Sequence, residues 1–211
     1  MNNKVSIATT PLVYQTFRYI SNKVWNALAE YVDNSIASFQ AHQDLLQKVN
    51  PNHKVRVDIN IDVEADCIQI CDNAFGIDAF NFNRAFELAN IPLDASGLNE
   101  FGMGMKVSSI WLSNLWTVET SAFGESVKRR VEFDLEKVIQ DEMLDLDVIE
   151  EPEIADTHYT IATLHKLSQN KPGKRQLASI KKHIASIYTK FIRDGLLELY
   201  VNGELMEHQP L

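Results

Sequence analysis

Apolar residues recur at helical spacing through "KVWNALAEYVDNSIASFQ". Val24, Trp25, Leu28, Tyr31, Val32, Ile36 and Phe39 share one face and predict a helix near 22–45. The period then changes. In "KVRVDINIDVEADCIQICDN", Val55, Val57, Ile59 and Ile61 alternate with polar residues, and alternation resumes at Cys67, Gln69 and Cys71. That pattern predicts a hairpin turning at Glu64–Asp66. Residues 11–22 read as a short helix, 78–90 as another opened by the N-cap residue Asp78, and 104–113 as a third. "LWTVETSAF" and "KRRVEFDLEKVI" read as two meander strands, and "THYTIATLHKL" as a further strand. Leu177, Ile180, Ile184, Ile187, Tyr188 and Phe191 predict a helix over 174–193. The end, "LLELYVNGELME", reads as a strand, an Asn-Gly turn and a return strand. Helices and antiparallel strands in mixed order predict an α+β fold with helices on one face of a sheet.

With 211 residues, 45% hydrophobic and 23% charged, the chain suits one large soluble domain, or one domain plus the start of a second. No apolar run approaches the roughly 20 residues that span a bilayer. The N-terminus lacks the basic and apolar regions of a signal peptide, so a cytoplasmic location is expected. The net charge of -9 argues against general nucleic-acid binding, which relies on Lys and Arg. On one strand, Cys67 and Cys71 lie about 13 Å apart at roughly 3.3 Å per residue. That is too far for a disulfide, so both are expected as reduced thiols on one sheet face. The terminal hairpin has little sequence behind it, which suggests the N-terminal part of a longer protein.

Three stretches carry chemistry. Glu30 and Asn34 are one turn apart on a helix whose neighbours are apolar. An amide oxygen there suits a hard cation and a carboxylate suits water activation, although on this pair alone a solvated helix face, with Glu30 and Asp33 in water, is the simpler reading. In "CDNAFGID", Asp72 ends an apolar strand before a turn at Gly76; it is an acceptor aimed at a donor such as an exocyclic amine, or an ordinary turn former. In "GLNEFGMGMK", Gly102 and Gly104 allow close backbone approach before a helix N-terminus, a place that suits phosphate. Neither the Walker lysine motif nor a G-x-G-x-x-G fingerprint is present.

Their order is more informative than any one of them. "AEYVDNS", "DNAFGI", "NEFGMGMK" and "HYTIATL" resemble, in sequence, the N box, the D-x-G-x-G box, the second glycine box and the Gly-Thr strand of the GHKL (Bergerat-fold) ATPases. That family includes gyrase, the ninety-kilodalton heat-shock chaperones, histidine kinases and MutL, and the style here is nearest to MORC- and MutL-like proteins. The resemblance implies a two-layer α/β sandwich with a mixed, mostly antiparallel sheet. It also implies ATP and Mg2+ as ligands, slow hydrolysis, and an ATP-dependent homodimer. Glu30 would be the general base and Asn34 the Mg2+ ligand. Asp72 and Thr160 would hold adenine, with Gly76 packing against the base. Gly102, Gly104 and Lys106 would cradle phosphates under a lid at 91–101.

Ala74 stands where the family has its first box glycine, Tyr159 where a glycine precedes the threonine, and Ala37 where many relatives carry Asp. The first two motivate the competing expectation of a non-catalytic interaction module. A histidine-kinase activity fits less well, because Glu30 replaces the Asn usual in kinases. Lys171, Lys174, Arg175, Lys181, Lys182 and His183 form a basic stretch, read either as a solvated face or as a DNA contact of the full-length protein. Trp111 and Trp116 are expected in the core.

Overall fold

The computed structural model describes residues 11–86 and 104–208. After a short helix α1 (Val13–Phe17), the long helix α2 runs from Val24 to Val49. Strands β1 (Val55–Asp62) and β2 (Cys67–Asp72) form the expected hairpin. Helix α3 (Ala79–Phe86) precedes the undescribed stretch that contains the expected lid and Gly102. Helix α4 (Gly104–Leu112) leads into β3 (Ser113–Ser121), β4 (Val127–Asp134), α5 (Leu135–Gln140), β5 (Val148–Pro152) and β6 (Tyr159–Leu167). Helices α6 (Leu177–Ile187) and α7 (Thr189–Arg193) then return the chain to β7 (Leu197–Val201) and β8 (Glu204–Leu205).

Eight strands make one sheet in the order β5-β4-β3-β6-β2-β1-β7-β8. The β1–β7 pair is parallel and every other pairing is antiparallel. This is the expected α+β, mixed and mostly antiparallel sandwich. Alternation decides which face is covered. Val55, Val57 and Ile59 of β1, Ile68 and Ile70 of β2, Val118 of β3 and Leu164 of β6 are all buried. They meet Leu28, Val32, Ile36 and Phe39 from the apolar stripe of α2. Each such side chain contributes about 1.5–3 kcal/mol when taken from water. Trp111 and Trp116 join this core as expected. Cys67 and Cys71 are free thiols on the opposite face, where burial pushes Cys71 up to about 11.

Three elements differ from the sequence reading. The stretch 135–140 is helical rather than strand, because Asp134 ends β4 and accepts from the backbone N–H groups of Glu136 and Lys137 as an N-cap. The expected helix over 174–193 is interrupted at Tyr188. Its ring is buried and its hydroxyl, with one proton to give, lies between Asp33 Oδ1 (2.7 Å) and the Ala29 carbonyl (2.9 Å), which pins the chain against α2. Strand β5 was not foreseen. Its residues are all exposed, so it has no apolar alternation, and it is held to β4 by backbone pairing and by Lys128–Glu151 (3.0 Å) and Arg129–Glu150 (2.9 Å).

Candidate functional site

Helix α2 positions three polar residues beside its buried stripe. Glu30 and Asn34 are half-buried one turn apart, and Ser35 is buried. Ser35 Oγ donates to Asp72 Oδ2 at 2.7 Å, which couples the helix to the end of β2. The same carboxylate accepts from the Ala74 N–H at 2.9 Å, and Thr160 is the register partner of Asp72 on β6. The carboxyl of Asp72 is pushed up to about 6, first by desolvation, against the opposing effect of these hydrogen bonds. A carboxylate offers about four acceptor directions, so the two protein donors leave room for an N–H from a ligand.

Threonines build the adjoining wall. Thr120 Oγ1 donates to the Tyr159 carbonyl (2.8 Å) and accepts from the Ile77 N–H (2.9 Å). Its one proton is thereby used, so the Thr160 hydroxyl is the donor in their 3.1 Å contact. Gly76 has φ +84°, and a Cβ there would lie 2.0 Å from the Ser121 carbonyl oxygen. The observed reason for glycine is thus the passing strand β3. Ala74 is absent from the residues with positive φ, so its methyl is accommodated where the family has glycine. Tyr159 turns to the open face of the sheet, where its hydroxyl donates to Glu119 at 2.9 Å. Strand alternation therefore puts its bulk on the side opposite Thr160.

Glu30 meets the first residue of α4. A Cβ on Gly104 would fall 1.9 Å from Glu30 Oε2. Desolvation raises the Glu30 carboxyl above its ordinary range, and neighbouring Asp33 adds to the rise. Two residues on, Lys106 is buried and lines a cavity of about 520 Å³ with Phe82, Phe86, Trp116 and Phe133. The structure thus joins Glu30 to Gly104, and Asp72 to Thr160, with Ser35 linking α2 to the second group. Sequence reasoning missed Ser35 and Thr120. Ser35 was legible as a small polar residue on the apolar stripe of α2, whereas Thr120 looks like any strand threonine. Gly102 and the lid at 91–101 lie outside the described residues.

Three of the five Lys and Arg residues of the basic stretch are ion-paired, while Arg175 and Lys182 are exposed. Lys171 pairs with Asp66 at 2.6 Å, Lys174 with Glu64, and Lys181 with Glu204. His183 stacks on Trp25 at 4.1 Å.

A profile for the histidine kinase-, DNA gyrase B- and HSP90-like ATPases matches residues 21–173. The chain belongs to this family. Membership implies ATP binding, and the match spans α2, the Asp72 turn, α4 and the Thr160 strand. A search of curated protein sequences returns no match. Among solved structures, this ATPase-family domain is similar to the ATPase region of Saccharomyces cerevisiae topoisomerase II, with TM-score 0.61 and 16% identity. The ATPase and transducer domains of Balamuthia mandrillaris topoisomerase II align with TM-score 0.59 and 18% identity. In both cases 86% of this chain is covered against 48% of the other, so the chain spans about half the length of these structures. At such identity the likeness shows the fold. Among the described residues, no helix is long and apolar enough to cross a membrane.

Proposed function

We propose that this domain binds ATP with Mg2+ and hydrolyses it slowly, as a cytoplasmic nucleotide switch. The observation that carries this reading is the Asp72 carboxylate, held by Ser35 and the Ala74 N–H beside Thr160, with acceptor capacity to spare. In this reading Asp72 accepts from the exocyclic amine of adenine, and Thr160 lies beside it. Asn34 would supply an amide oxygen to Mg2+, which would neutralise phosphate charge when bound. Gly104, at the N-terminus of α4, and Lys106 would hold the phosphates, a role the resemblance implies for Gly102 as well.

Glu30 takes a proton from the attacking water at a carboxylate oxygen. Its raised pKa makes it a better base than an exposed glutamate. The seat of Glu30 against Gly104 supports this role, since the carboxylate sits at the helix end where phosphate would lie. Lid closure over 91–101 and pairing of two copies would follow nucleotide binding. A DNA contact belongs to the full-length protein, and the paired lysines lend it no support here. The reading is tested with Glu30→Ala, which should keep ATP binding and lose hydrolysis by about 10²–10⁴-fold. Equal turnover in that variant refutes the assignment of Glu30.

A further inference from the structure

The turn after Asp72 is held by imidazoles from two other elements. His53, just before β1, directs Nε2 to the Asn73 carbonyl at 3.2 Å. His158, just before β6, directs Nδ1 to the Ala74 carbonyl at 2.7 Å. Carbonyls only accept, so each of these nitrogens carries the hydrogen and the tautomers are fixed: Nε2–H in His53 and Nδ1–H in His158. The two rings meet edge to face at 5.2 Å between centroids. Aromatic neighbours hold them in place, Phe39 beside His53 at 5.7 Å and Phe123 beside His158 at 5.8 Å.

The covalent connection gives these contacts a consequence. The Asn73 carbonyl and the Ala74 N–H belong to one peptide unit. His53 donates to its oxygen, and its N–H donates to Asp72 Oδ1 at 2.9 Å. A hydrogen bond at one end of a peptide polarises the donor at the other. His158 fixes the next peptide unit, so the turn cannot rotate the Ala74 N–H away from the carboxylate. Asn73 secures the near side, its side chain accepting from the Arg56 N–H (2.7 Å) and donating to the Lys54 carbonyl (3.1 Å).

We infer that His53 and His158 are positioning residues of the nucleotide site, which orient the Asp72 carboxylate through the peptide units of Asn73 and Ala74. This rests on the reading of Asp72 as the adenine acceptor. It also accounts for a box that works with Ala74 in place of glycine: the conformation of the turn is imposed from outside by two donors.

The test is calorimetric titration of the domain with Mg2+ and a non-hydrolysable ATP analogue. His53→Leu and His158→Leu remove the donors. His53→Gln keeps a donor near the Nε2 position, and His158→Asn keeps one near Nδ1. Each leucine variant should weaken binding about ten-fold, the worth of roughly one hydrogen bond, and each amide variant should restore most of it. A purely structural role would not discriminate leucine from amide by donor position. Leucine variants that bind as tightly as the wild type overturn the clamp while leaving the nucleotide site standing. A wild type that does not bind removes the nucleotide reading and the clamp with it. Should a leucine variant fail to fold, long-range proton–nitrogen NMR on the wild type decides. It should show His53 as the Nε2–H and His158 as the Nδ1–H tautomer, with both resonances shifting on addition of the analogue. The opposite tautomer at His158, or no shift at either ring, overturns the proposal.

Discussion

Glu30 Oε2 occupies the space that a side chain on residue 104 would need, 1.9 Å from where a Cβ on Gly104 would stand. The obstacle is the far end of a flexible side chain, so a methyl group there would displace the carboxylate rather than the backbone. Gly104→Ala is therefore expected to change stability by no more than about 1 kcal/mol, since alanine also favours helix. Turnover should fall about ten-fold or more, because the base is pushed off its position. Denaturant melts beside steady-state ATPase rates check both halves. A variant with unchanged turnover separates the glycine from the chemistry.

How much of this was legible in the chain depends on what each residue does. Helix α2 and the β1–β2 hairpin were readable because burial on one face leaves a period, 3.6 for one and 2 for the other. Helix α5 was misread because "KRRVEFDLEKVI" keeps an apolar rhythm past the point where Asp134 stops the strand and caps a helix. Strand β5 was invisible because an exposed edge strand buries nothing and so leaves no pattern. At the site, Glu30, Asn34, Asp72, Gly104 and Thr160 stood out through their order. Of the residues around them, Ser35 was legible as a small polar residue on the apolar stripe of α2, whereas Thr120, His53 and His158 act through contacts distant in sequence that no spacing announces.

Gly76 combines two demands that only glycine meets. Its φ is +84°, and a Cβ would strike the Ser121 backbone at 2.0 Å, where nothing flexible can yield. Gly76→Ala should destabilise the domain by about 2–4 kcal/mol, from left-handed backbone strain and displacement of a strand. Urea unfolding measures it. A loss below about 0.5 kcal/mol would mean that the turn is free to move away from β3.

Asp72 gives nucleotide binding an acid limit. Its carboxyl sits at about 6 against an ordinary 3.8. A ligand amine needs the ionised acceptor, so affinity should be full above that pH and fall about ten-fold per unit below it, with protons released on binding near pH 6. The stability term has the opposite sense. Because the folded pKa exceeds the unfolded one, the native state holds the extra proton between about pH 4 and 6, and this group's contribution to stability declines as pH rises through that window. Calorimetry in buffers of different ionisation enthalpy reads the proton count. A flat affinity from pH 5 to 8 would remove Asp72 from the role of charged acceptor.

The central claim is that Asp72, with Ser35, Ala74 and Thr160 around it, receives the adenine of ATP. Its most direct test is calorimetric titration of the purified domain with ATP and Mg2+, beside Asp72→Asn. The account predicts micromolar binding by the wild type, abolished by a substitution that places an amide among the donors surrounding residue 72. Equal binding by both proteins, or no binding by the wild type, would contradict it.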